Sequence, residues 1–359
     1  MIPFEAIRGQ DQAAGFLRAA LSSGRLAHAY LLAGPPGTGK LSMALDLAAA
    51  WMCRSDPSGF CGECPQCTRI FGFDHPDVRM TIPRMAATTP EQEMELLAAR
   101  KLDGTTPLRF EGNTSIRIDQ VREIERRMAL KPFEGRGRVE IVVDADRMMA
   151  EGANALLKTL EEPPGETLIL LLTSVYIRII PTIRSRAHLV RLCRVPADVI
   201  AGILVDRRGA DPDSARDIAS MADGSVGRAL SLHDGGTSAG DRVTSGVLSA
   251  LAGCSSPSEV SVLASEMAKE LGREGLLTLC GELRMIAHDV RRSEFDRPPL
   301  TVDPGVGVLR GLDDLALDHV GSLLRECETR LGGNVMPSMA LHAALSGCWV
   351  ELRRRGAVG

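Results

Sequence analysis

Gly34-Pro35-Pro36-Gly37-Thr38-Gly39-Lys40-Leu41-Ser42 stands between an apolar run, AYLLAG at 29 to 34, and a helical pattern from about Lys40 to Cys53. A strand before it and a helix after it are the context in which such a loop binds phosphate. Gly34, Gly37, Thr38 and Gly39 form a loop whose backbone N–H groups converge on phosphate oxygens. The helix N-terminus adds partial positive charge, and Lys40 neutralises the terminal phosphates. The next position departs from this pattern. Leu41 stands where a Ser or Thr hydroxyl would hold magnesium, and Ser42 is roughly 100° further round the helix. The loop therefore points to descent from an ATP- or ADP-binding fold with a weakened metal site.

Working outward, VEIVVDA at 139 to 145 and TLILLLTS at 167 to 174 are further strand candidates, with a helix through Asn154 to Leu160 between them. Continuous apolar runs separated by helices predict an α/β domain with a parallel sheet buried on both faces. Asp144 ends the second run where a metal-associated carboxylate belongs. Ala145 follows where an ATPase would place a Glu to orient or deprotonate the attacking water. Asp146 comes one position too late, since alternate strand residues face opposite sides. The alterations at Leu41 and Ala145 together point to poor hydrolysis.

Residues from about 54 to 117, rich in Gly, Pro and Thr, read as an irregular insertion in which Glu91 to Lys101 suggests a helix. Asp119 is a plausible N-cap for the helix QVREIERRM that follows. Past about residue 193 the strand pattern stops and the rest reads as helical. Gly235 to Gly240, GGTSAG, is the best linker candidate. Leu276, Cys280, Leu283, Ala287 and Val290 form one helical stripe, and Leu317, Val320, Leu324, Cys327 and Leu331 form another. Such stripes usually face a core, though they also suit packing between subunits.

Four cysteines, Cys53, Cys61, Cys64 and Cys67, crowd together with spacing C-x7-C-x2-C-x2-C. Three thiolates in CGECPQC plus Cys53 at the preceding helix end make a closed tetrahedral zinc site of structural type, in a module of about 53 to 75. His75 in DHPD is an alternative ligand, but with four cysteines present it reads as a loop histidine. The metal should staple a segment that lacks an apolar core of its own.

Composition sets the remaining bounds. At 359 residues the chain has room for two or three domains. No apolar run approaches the roughly 20 residues needed to span a bilayer, and the opening residues are charged where a signal peptide needs apolar ones. The expectation is a cytoplasmic protein, where nine cysteines argue against a disulfide framework. A net charge of -4 and only 3% aromatic residues disfavour a zinc-dependent nucleic-acid binder. Taken alone, Arg186 in Ser185-Arg186 would be a solvated surface charge.

HAYLLAGPPGTGK, the four-cysteine insertion, ANALLKTLEEPP at 153 to 164, TSVYIRIIPTIRSR at 173 to 186 and GSVGRAL at 224 to 230 together resemble the clamp-loader subunits of bacterial DNA polymerase III, within the AAA+ superfamily. They are most similar to the delta-prime type. The resemblance covers most of residues 1 to 230; the last 120 or so match only as a helical domain of suitable length. It implies an AAA+ nucleotide-binding domain at 1–193, a helical lid at 194–236 and a helical collar at 237–359. The collar would join five subunits in a ring with gamma/tau motor and delta subunits. The implied function is to help load the sliding clamp on primed DNA.

In that family an SRC motif places an arginine in the neighbouring subunit's ATP site. Here Ser185-Arg186-Ala187 keeps the arginine and loses the cysteine, so the resemblance implies that Arg186 is a finger acting in trans. Motor subunits carry a lid arginine in a GSLRDAL-like pattern; here Gly227 takes that position and Arg228 is displaced by one. The alternative is an active motor ATPase, either of the same loader or of a related remodelling enzyme. Such a motor should show Ser or Thr at 41, Glu at 145 and the lid arginine, and all three are missing.

Overall fold

The structure is a computed structural model that describes residues 4–56, 59–85, 114–134, 136–234, 240–294, 306–309, 311–332 and 335–354. The chain divides into two compact units, Met1–His233 and Asp234–Gly359. In the first, α1 (Asp11–Ser22) precedes β1 (Ala29–Ala33), followed by α2 (Lys40–Met52), α3 (Pro65–Phe71) and β2 (Val78–Thr81). Then come α4 (Ile118–Ala129), β3 (Arg138–Val142), α5 (Ala150–Glu161), β4 (Thr167–Thr173), α6 (Pro181–Arg184) and β5 (His188–Arg191). All five strands are parallel, in the order β2-β3-β4-β1-β5.

Every residue of β1 and β4 is buried because each face of these central strands has its own helical layer. Tyr30, Leu32, Leu168, Leu170 and Leu172 pack with Leu17 of α1 and Met43 and Leu47 of α2. Ala29, Leu31, Ile169 and Leu171 face the other way, towards Val121 and Ile124 of α4 and Leu156 and Leu160 of α5. That alternation turns a run with no amphipathic period into two cores. The expected parallel sheet is therefore present. Two of its strands escape a sequence reading: β2, inside the stretch taken for an insertion, and β5, four residues long. Both lie at the sheet edges and carry mixed burial, so neither makes a continuous apolar run.

Asp119 is not the cap of α4. The N-cap is Arg117, whose backbone N–H donates to Gln120 Oε1 at 3.2 Å in the manner of a capping box. Asp119 sits in the first turn, where the helix dipole favours an anion, and pairs with Arg84. The proposed helix at Glu91 to Lys101 and most of the proposed linker, residues 235–239, lie outside the described residues.

After β5 the first unit continues with α7 (Ala197–Arg208), α8 (Pro212–Met221) and α9 (Val226–His233). The second unit is helical throughout its described residues: α10 (Gly240–Gly253), α11 (Pro257–Glu294), α12 (Val306–Leu309), α13 (Asp314–Gly332) and α14 (Pro337–Arg354). α11 is two helices meeting at Gly272, which has φ 61°. Both leucine-rich stripes are buried inside this unit, one on α11 and one on α13, packed with Leu341, Leu345 and Leu352 of α14.

Candidate functional site

The phosphate-type loop leaves β1 at Gly34, whose N–H donates to Thr173 O at 3.2 Å. A Cβ on Gly34 would lie 2.4 Å from Leu192 O, so only glycine permits this approach of two backbones. Gly37 and Gly39 have φ of 71° and 97°, the left-handed region that aims successive N–H groups inward. Lys40 then opens α2. Its Nζ donates to Gly34 O at 2.7 Å, Pro35 O at 2.8 Å and Ser174 Oγ at 3.1 Å. Burial pulls its pKa down to about 8, against the opposing pull of Asp144 and Asp146.

The two acids have different settings. Asp144 follows β3 with φ 47°, and its pKa is raised by burial first and by Asp146 second, while Arg147 and Lys40 oppose the shift. Arg147 Nε lies 3.8 Å from Asp144 Oδ2. Asp146 is turned to β4: its Oδ1 accepts from Thr173 Oγ1 at 2.6 Å and from Ser174 N at 3.3 Å. This carboxylate fixes the end of β4 and the backbone of Ser174, whose hydroxyl meets Lys40. Ala145, between them, is buried and offers no polar group. Lys40, Asp144 and the loop glycines are thus brought together as the sequence implies.

Two contacts around the loop carry no sequence signal. Gln10 is buried; its Nε2 donates to Thr38 O at 3.2 Å and Cys193 O at 2.6 Å, and its Oε1 accepts from Cys193 N at 2.9 Å. A lone glutamine before a helix has no pattern to betray that bridge. Gly227, where motor subunits place an arginine, brings its backbone N–H to Gly37 O at 3.0 Å. α9 therefore begins against the loop itself.

The four sulfurs of Cys53, Cys61, Cys64 and Cys67 all lie within 4.8 Å of one another. Cys53 Sγ is 3.8 Å from Cys61 Sγ and 3.9 Å from Cys64 Sγ, and Cys61 Sγ is 4.0 Å from Cys67 Sγ. A tetrahedron of thiolates about 2.3 Å from zinc has edges of about 3.8 Å, so these donors fit that ion. N–H bonds from Glu63 and Cys64 lower the Cys61 thiol to about 6, favouring the thiolate a metal needs, whereas burial pushes the Cys67 thiol up. Cys53 closes α2 and Cys67 lies in α3, so the metal would join two helices. His75 is not part of the cluster: it is buried, its Nε2 meets Gln66 Oε1, and its Nδ1 accepts from Asp77 N at 3.0 Å. None of the nine cysteines forms a disulfide.

Arg186 lies just beyond α6. Its Nη1 donates to Thr182 O at 3.1 Å and Ser185 Oγ at 3.2 Å, and its Nη2 pairs with Glu161 Oε1 at 2.6 Å. Its side chain keeps 35% of its surface exposed. None of these contacts involves the glycine loop or Lys40. Glu161, within ANALLKTLEEPP, carries no signal of its own in the sequence, because an acid at a helix end ordinarily reads as solvated.

A glycine loop at the carboxyl end of a parallel sheet, with a helical segment beginning against it, defines a P-loop protein of the AAA+ type. The family described as DNA polymerase III, delta subunit, matches residues 9–196, more than half of the chain. The chain belongs to that family. It is 35% identical over 161 residues to DNA polymerase III subunit delta' of Pseudomonas aeruginosa, covering 45% of this chain and 41% of the relative. It is 31% identical over 208 residues to the delta' subunit of Bacillus subtilis, covering 58% and 54%. Against the gamma/tau subunit of Mycobacterium bovis it is 29% identical over 250 residues, covering 64% and 38%. The chain thus spans about half the length, or less, of these curated relatives. No helix among the described residues is long and apolar enough to cross a membrane.

Proposed function

We propose that this chain is a delta-prime-type clamp-loader subunit that completes a neighbour's ATP site while turning over little ATP itself. In this reading residues 1–193, 194–236 and 237–359 act as AAA+ domain, lid and collar. The chain joins gamma/tau and delta subunits in a five-membered ring in the cytoplasm, and the ring loads the sliding clamp on primed DNA. Cys53, Cys61, Cys64 and Cys67 hold zinc, which supplies a structural staple.

The observation that carries the reading is the placing of Arg186. Its side chain is partly exposed and contacts nothing in its own glycine loop, as an arginine serving another subunit requires. Ser185 supports it from the same motif. At the chain's own loop, Lys40 is engaged by Gly34 O, Pro35 O and Ser174, and Leu41 and Ala145 leave magnesium and the attacking water without their usual partners. ATP or ADP binding through Lys40 and the backbone is compatible with this arrangement, whereas efficient hydrolysis is not.

In a reconstituted ring, Arg186→Ala should leave assembly intact and remove a contribution of about 10³-fold or more at the one ATP site it completes, read as a loss of DNA-stimulated ATP hydrolysis by the ring. Unchanged hydrolysis in an intact ring would remove the assignment. The likeness to gamma/tau subunits favours one second reading, an active motor. Phosphate release by the isolated chain, magnesium-dependent and abolished by Lys40→Ala, would establish it.

A further inference from the structure

We propose that Glu161 is the positioning residue for Arg186, an inference that rests on the trans-finger reading above. Three observations point to it. First, Glu161 is the last residue of α5, with Glu162 beside it, at the negative end of the helix dipole where cations are favoured. An acid there is unfavourable for the helix alone, so its placement calls for a compensating cation. Arg186 supplies that cation at 2.6 Å.

Second, the stretch from Thr167 to Ala197 contains no Asp or Glu but carries Arg178, Arg184, Arg186, Arg191 and Arg194. Arg184 and Arg191 lie over the Tyr176 ring, at 5.1 Å and 5.8 Å from its centroid. Those two guanidiniums are held by an aromatic face. Arg186 is instead held by an acid brought in from another element.

Third, the three acceptors on Arg186 come from both sides of the guanidinium: Glu161 on Nη2, Thr182 O and Ser185 Oγ on Nη1. A long arginine side chain has several rotatable bonds, and fixing it before a phosphate arrives removes that ordering cost from the reaction. Glu161 acts through Arg186 and touches no reacting atom.

The test is a double-mutant cycle in the reconstituted ring, with ATP and primed DNA, comparing Glu161→Ala, Arg186→Ala and the double variant. Both side chains are partly exposed, so the melting temperature of the isolated variants should match the original. Glu161→Ala should lower kcat roughly two- to fivefold, the scale of an exposed ion pair, with KM for ATP and assembly unchanged. Glu161→Gln, which keeps an acceptor, should restore part of the loss. The double variant should match Arg186→Ala alone.

A Glu161→Ala ring as fast as the original or faster would overturn the proposal, the faster case marking Glu161 as a competitor for the guanidinium. So would a Glu161→Ala loss of the same size in the Arg186→Ala background. If Arg186→Ala is itself without effect, the finger reading fails and this inference with it.

Discussion

At the scale of single residues, Lys40 shows what the chain retains and what it has lost. The lysine still opens the helix after the glycine loop, but its ammonium is buried and held by the loop's own carbonyls. Burial disfavours the charged form, so the folded chain releases this proton near pH 8, while the unfolded chain holds it to about 10.5. Between those values the unfolded state binds more protons, and the free energy of unfolding therefore rises with pH. The contribution from Lys40 is at most about 1.4 kcal/mol per pH unit. Urea denaturation at pH 8, 9 and 10 should show that rise in the original chain and a flatter profile in Lys40→Met. Parallel profiles would mean that Lys40 is not desolvated as its surroundings indicate. Asp146 makes a related point, since Thr173 and Ser174 engage its Oδ1 and turn it to support β4.

At the scale of elements, the cysteine module combines packing against the core with a cluster of metal-type ligands. α3 has seven residues, too few to persist as an isolated helix, and buries only Cys67 and Ile70. Arg69 on α3 pairs with both oxygens of Glu134, at 2.7 and 2.6 Å, which ties the module to the loop after α4. An exposed pair of that kind contributes only about 0.2–1 kcal/mol, so a bound metal would add order beyond what Phe60, Cys67 and Ile70 supply by packing into the core beside β1. Cys64→Ser should therefore lower the zinc content of the purified chain from one equivalent towards none. It should also raise amide hydrogen exchange across residues 61–72, and chelation of the original chain should do the same. Full zinc occupancy in that variant would show that the fourth ligand lies elsewhere. The sheet should change little in either case, because β1 and β4 are buried by α1, α2, α4 and α5.

At the scale of the whole molecule, each of the three apolar clusters lies within one unit, two in Met1–His233 and one in Asp234–Gly359. Leu324, 1% exposed in the helical unit, should lose about 2–5 kcal/mol on replacement by Ala. Calorimetry should place that loss in a transition belonging to residues 234–359. A single transition shifted as a whole would mean that the two units unfold together. Much of this organisation was legible beforehand, and for local reasons. A glycine loop between an apolar run and a helix can be read from neighbours in sequence, and four cysteines within fifteen positions reach one ion without help from the rest of the fold. The stripes of α11 and α13 likewise announce a buried face through their spacing. The edge strands β2 and β5, the true cap of α4, the bridge made by Gln10, the backbone contact from Gly227 to Gly37 and the pairing of Glu161 with Arg186 were not legible. Except for the cap, a contact between Arg117 and Gln120 only three residues apart, each depends on what a distant segment brings alongside, and a short or isolated residue pattern has no period that encodes its partner. The sequence by itself thus determined the P-loop domain, its metal-type cluster and the altered positions at Leu41 and Ala145. Only the tertiary structure decided where Lys40, Asp146 and Arg186 direct their charges, because each has a partner far along the chain: Ser174 for Lys40, Thr173 for Asp146 and Glu161 for Arg186.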